Sequence, residues 1–133
     1  MIGDSMTFAI LQKALDGTWQ RQRAIANNIA NHETPGYKAI KVSFEESLKR
    51  EIEKLENGIP SKEQMAKSLE AIRNSKIDIS QDRSTAMRAD GNNVDMDLEN
   101  IEMAKAQIQY TYLTRSVTDM FARLRYAVSE GRK

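Results

Sequence analysis

The chain has 133 residues, with 20 Lys plus Arg against 19 Asp plus Glu, one His, no Cys and 40% hydrophobic content. This length allows one domain at most, and the missing Cys excludes disulfide scaffolds and thiolate metal sites. A net charge of +1 with one Trp, four Tyr and three Phe makes no case for nucleic acid or an anionic membrane surface, and neither a membrane-spanning run of ~20 apolar residues nor a cleavable leader is expected.

From Met6 to Asn31 the chain carries Phe8, Leu11, Leu15, Thr18, Gln22, Ile25 and Ile29 at spacings of three and four. This is a heptad stripe with a polar middle. A helix over this stretch would span about 39 Å, longer than a compact domain of this size ordinarily holds, so it asks for a partner. Asn27, Asn28 and Asn31 crowd its end among Ala26, Ile29 and Ala30. Asparagine is a poor helix-interior residue; Asn31 reads as a C-terminal cap, and the others fix register between helices that the alanines let approach closely.

Thr34, Pro35, Gly36 and Tyr37 end the helix, because proline disfavours helical geometry at Thr34 and Pro-Gly supplies the centre of a type II turn. Ile40, Val42 and Phe44 then alternate with Lys41 and Ser43 as an extended stretch with one apolar side. Ser43 with Glu46 matches a capping box for a second helix carrying Phe44, Leu48, Ile52 and Leu55, stopped at Asn57-Gly58. Ser61 with Gln64 repeats that signal for a third, with Met65, Leu69 and Ile72, ending near Asn74. With 9 basic and 7 acidic residues, 38–76 reads as a solvated exterior. Ile77 and Ile79 alternate, and the turn-rich Asp90-Gly91-Asn92-Asn93 marks 77–93 as a linker.

The last segment, Val94 to Glu130, holds Met103, Ala106, Tyr110, Leu113, Val117, Met120, Leu124 and Ala127 at helical spacing. Asp95, Asp97, Glu99 and Glu102 stand near its start, and Arg115, Arg123, Arg125, Arg132 and Lys133 toward its end, the order the helix dipole favours. Ile101, Ile108 and Tyr112 add a flanking apolar row, which implies more than one neighbour.

The expected fold is mainly α: long N- and C-terminal heptad helices packing as an antiparallel or coiled-coil-like pair, with a small, partly extended and helical middle insert. The expected divisions are 1–32, an N-terminal helix; 33–93, turn and insert or linker; and 94–133, a C-terminal helix. His32 has no glycine-flanked serine to serve and reads as a solvated or capping residue. Asp90, Asp95 and Asp97 with Asn92 and Asn93 fail as a calcium loop, since Ile101 stands where the bidentate glutamate belongs. No phosphate loop, dinucleotide fingerprint or paired-histidine motif occurs, so no catalytic, cofactor or metal residue is assigned and no small-molecule substrate is expected. Two classes remain: a subunit whose end helices finish folding among copies or relatives, and a soluble coiled-coil binding module or secreted adaptor.

Asn28-Ile29-Ala30-Asn31, followed by Thr34-Pro35-Gly36-Tyr37-Lys38, resembles the N-terminal signature of the bacterial flagellar rod and hook proteins. Asp90-Gly91-Asn92-Asn93-Val94-Asp95 before a long heptad helix is similar to the proximal-rod members of that family. The alanine, arginine, tyrosine and asparagine pattern of other rod proteins is absent, and Gln109-Tyr110-Thr111-Tyr112 stands in its neighbourhood. The resemblance covers both chain ends but not 45–88. It implies a structural subunit of the basal-body rod in the periplasm, exported by the flagellar apparatus without a cleaved signal and not inserted in the membrane. It would assemble helically with its own copies, neighbouring rod proteins and the membrane-ring adaptor, and pass motor torque outward. The expected assembly interface is Leu11, Leu15, Ile25, Asn28, Ile29, Asn31, Thr34, Pro35, Gly36, Tyr37, Tyr110, Leu113, Val117, Met120 and Leu124. Within it Asn28 and Asn31 would fix helix register, Thr34 to Tyr37 would turn the chain out of the tube wall, and Leu113, Val117, Met120 and Leu124 would form a buried seam.

Overall fold

A computed structural model describes residues 2–56, 58, 60–86 and 88–129. Asn57 of the expected second-helix stop, Glu130 at the expected end of the last helix, and Arg132 and Lys133 of its basic end lie outside the described residues, as does Met1. The elements run α1 (Ile2–Ala30), β1 (Ile40–Ser43), α2 (Glu45–Glu56), α3 (Lys62–Asn74), β2 (Asp78–Gln81) and α4 (Met96–Val128).

The mainly α expectation holds, with the two long helices packed together. Phe8 of α1 meets Phe121 of α4 edge to face with ring centroids 5.4 Å apart, and Asn28 of α1 meets Glu99 of α4. Contacts at opposite ends of both helices make the pair antiparallel. The polar middle of α1 is resolved internally: Thr18 is fully buried, and its hydroxyl donates to the Ala14 carbonyl at 2.7 Å.

α1 is the central element, because the insert covers a second flank of it. Its most buried apolar positions include the small residues Ala9, Ala14 and Ala24, which let β1 and α3 approach closely. Phe44 (2% exposed), Leu48 and Ile72 fill the same core, so 38–76 is more than a solvated exterior: its charges face water while its apolar stripe seats on α1. Gly17 is the seat of Phe44; a Cβ built there would fall 2.3 Å from the Phe44 ring. The Arg21 guanidinium lies over that ring, 4.9 Å from its centroid, and also holds the Val42 carbonyl and both Glu45 carboxylate oxygens.

The extended stretch after the turn is a strand. β1 pairs antiparallel with β2, Ile40 opposite Gln81 and Val42 opposite Ile79. Ser43 is the last residue of β1, so it does not cap the second helix, which opens at Glu45. Ser61 does cap α3, with the Gln64 amide N–H donating to its hydroxyl and the Gln64 side chain accepting from its N–H. Asp95 caps α4 by accepting from the backbone N–H groups of Asp97 and Leu98. The linker expectation for 77–93 gives way at both ends: Asp78–Gln81 is β2, and Asn92 is fully buried.

Candidate assembly surface and the asparagine clasp

At the end of α1 the chain must reverse, leave unpaired carbonyls and meet α4. Asn31 N–H bonds back to the carbonyls of Asn27 and Asn28, and a His32 ring nitrogen donates to the Ile29 carbonyl at 2.9 Å. Thr34 to Tyr37 then closes a turn, with Tyr37 N–H on the Thr34 carbonyl and Gly36 at φ +72°, a conformation that disfavours side chains.

The second turn, around Asp90 and Gly91, docks on the first. Gly36 N–H donates to the Asp90 carbonyl at 2.8 Å, and Lys38 Nζ to the Gly91 carbonyl. The Asn92 side-chain amide donates to the carbonyls of both Asn31 and Thr34 at 2.9 Å, while its oxygen accepts from Val94 N–H. Asn93 accepts from Ala39 N–H and donates to the Asp82 carbonyl, both at 2.7 Å. Its amide thus splices one more rung onto the β1–β2 ladder. The two motifs that carry the family resemblance, 58 residues apart from Thr34 to Asn92, form one polar clasp.

Asn28 joins this clasp to both long helices. Its oxygen accepts from Ile40 N–H at 2.8 Å and from the Tyr37 hydroxyl at 3.1 Å; its amide donates to the Ile40 carbonyl at 2.9 Å and to Glu99 Oε1 at 3.0 Å. All four hydrogen-bonding positions of the amide are used. Towards Ile40 it acts as the peptide group of a missing neighbouring strand. Glu99 is 9% exposed, and burial chiefly pushes its carboxyl above the usual range, while the Asn28 hydrogen bond pulls the other way. Tyr37 is raised as well, by burial first and then by the Glu99 charge.

The expected interface residues differ widely in exposure. Asn28 and Ile25 are buried within the chain, Leu11 and Leu15 are partly buried against the core, and Ile29, Asn31 and Tyr37 are half-buried. Thr34, Pro35 and Gly36 are exposed on the outside of the clasp. Along α4, Leu113 is buried, Val117 and Met120 are half-buried, and Tyr110 and Leu124 are 38% and 42% exposed. The expected seam is therefore closed at Leu113 and more open toward the C-terminus, although the first turns of α1 still lie beside it there, with Phe8 on Phe121. The flanking row stays uncovered: Ile101, Ile108 and Tyr112 are 54%, 73% and 71% exposed.

Sequence reasoning passed over Gly17, and it gave Phe44, Asn92, Asn93 and Glu99 other roles than the ones they hold here. A glycine inside a helical pattern signals close approach, which was the available clue for Gly17. Asp90 and Asp95, weighed as calcium ligands, spend their carboxylates on Arg88 and the Asn92 N–H and on the α4 cap respectively.

A family model described as flagella basal body rod protein matches residues 9–38, most of α1 and the first turn. The chain is 37% identical to the flagellar basal body rod protein FlgB of Bacillus subtilis strain 168, over 96% of this chain and 97% of that protein. It is 30% identical to FlgB of Proteus mirabilis, over 87% and 91% of the two chains. To FlgB of Escherichia coli K12 it is 31% identical, over 74% and 75%.

Proposed function

The chain belongs to the FlgB family of flagellar basal body rod proteins, and on that premise we propose that it is a proximal-rod subunit that packs among its own copies and neighbouring rod proteins. Its work is structural rather than catalytic: it carries torque from the membrane ring outward along a helical lattice. The observation that carries this reading is the row Ile101, Ile108 and Tyr112 on α4. Three large apolar side chains on one helical face, each more than half exposed, are left uncovered by the chain's own fold. Head-to-tail contact through such a face extends without closing, as a rod requires.

The clasp supports the same reading. It takes the chain from α1 through the insert and back to α4 with its polar groups engaged, so the helix pair is presented as a preformed unit. The exposed outer side of the turn, Thr34 to Gly36, is then a contact point for neighbours. Membership of a basal body rod family places the protein's work in that structure; the periplasm, export without a cleaved signal, the export apparatus and the membrane-ring adaptor as partners belong to this proposal. No described helix is long and apolar enough to cross a membrane. Similarity along almost the whole chain favours the rod subunit over the soluble binding module.

The test is Ile108→Lys combined with Tyr112→Lys in cells lacking the native copy. Both positions are exposed, so the free chain keeps its helicity, while rod completion and motility are lost. Full motility of the double variant would overturn the assignment of this face to assembly.

A further inference from the structure

β2 is an edge strand, paired with β1 on one side and with no strand on the other among the described residues. All four of its residues are exposed. Asp82 N–H donates to the Ala39 carbonyl, so the antiparallel alternation turns the backbone groups of Ile79 and Gln81 away from β1. Ile79 lies opposite Val42, on the face of the sheet where Val42 is 8% exposed, yet Ile79 itself is 57% exposed. The apolar face overhangs its own edge, where a third strand would cover it.

The charges around β2 select the occupant. Two antiparallel copies of the segment with Ile79 opposite Ile79 set Lys76 against Asp82, Asp78 against Ser80 and Ile77 against Gln81. That register turns the outward backbone groups of Ile79 toward each other, as a hydrogen-bonded pair needs. Shifting so that Ser80 faces Ser80 sets Asp78 against Asp82, and the intermediate register sets Lys76 against Arg83. Like charges directly opposite disfavour both alternatives.

We propose that the β2 edge docks β2 of a second copy of this chain about a two-fold axis, joining two sheets into one of four strands. A two-fold pair has no direction, whereas a rod of head-to-tail contacts does, so this dimer is a form of the subunit outside the lattice. It stands independently of the rod assignment.

The test is sedimentation of the purified full chain from low micromolar to near-millimolar concentration. A concentration-dependent dimer is expected. Lys76→Glu turns two opposite-charge pairs into like-charge pairs and weakens it roughly tenfold or more, as does Ile79→Lys, with helicity unchanged in both. Ile108→Lys leaves it intact. Since the chain has no Cys, Ile79→Cys gives a clean disulfide-linked dimer, whereas Ser80→Cys, about 8 Å from its symmetry mate, does not. A monomer at every concentration would leave the edge to a strand of another protein and overturn the proposal. So would a dimer that ignores Lys76→Glu and Ile79→Lys, or one lost in Ile108→Lys.

Discussion

Replacing Gly17 by alanine adds one methyl group to the middle of α1, and two opposing effects decide its sign. Alanine favours a helix over glycine by about 1 kcal/mol. The new Cβ, however, would lie 2.3, 2.5 and 2.6 Å from the Cδ1, Cγ and Cε1 atoms of Phe44, where ordinary carbon contacts are about 3.5 Å or more. The ring must retreat by roughly 1 Å, but it is 2% exposed and has the Arg21 guanidinium over its face. Overpacking a full core costs roughly 1–3 kcal/mol, and contact this close belongs at the upper end. The net effect is a loss of about 1–2 kcal/mol, or roughly 3–8 °C in Tm for a chain of this size. Thermal melts of Gly17→Ala measure it, and a second arm isolates the cause. In a Phe44→Ala background, held folded with sucrose, the clash is gone and Gly17→Ala should raise the Tm through helix propensity alone. If Gly17→Ala raised the Tm of the otherwise unaltered chain, the seating of Phe44 on Gly17 would be refuted.

Asn28→Ala leaves the N–H and C=O of Ile40 without partners beside a buried Glu99 and should cost about 3 kcal/mol or more; fast amide exchange at Ile40 with α4 still protected would mark the site, and unchanged exchange there would count against it. Glu99 is raised above its unfolded value, so the stability its protonation contributes is complete below the unfolded value and lost as pH rises through the folded one. Glu99→Gln, whose amide oxygen still accepts from Asn28, should therefore be the more stable protein at neutral pH, and the gap should narrow in acid; a gap constant from pH 4 to 8 would contradict this. Val117→Asp should lower the Tm of the free chain only modestly, because Val117 is half-buried there, yet abolish rod assembly, where an unpaired buried charge costs ~3 kcal/mol or more. Motile cells carrying it would show that the open end of the seam is not covered in the rod.

Local patterning was enough to draw the helices. The three-and-four spacing of α1 and α4, the Ser61–Gln64 box before α3 and the Pro35-Gly36 turn each act within a few residues, and each appears within a residue or two of where the spacing puts it, except that α1 starts four residues early. The uncovered row Ile101, Ile108 and Tyr112 was legible too, since a helical face is a matter of periodicity. The clasp was not. Asn92 and Asn93 in a glycine-containing turn read as a linker, because nothing local says that their amides will find the carbonyls of Asn31, Thr34 and Asp82. Whether a polar side chain is solvated or buried depends on what a distant segment brings to it, and only the antiparallel closure of α1 on α4 brings these together. The same closure buries Glu99 with a raised pKa, while the seating of the insert on α1 decides that Asn28 completes the edge of β1 and that Gly17 has to be a glycine.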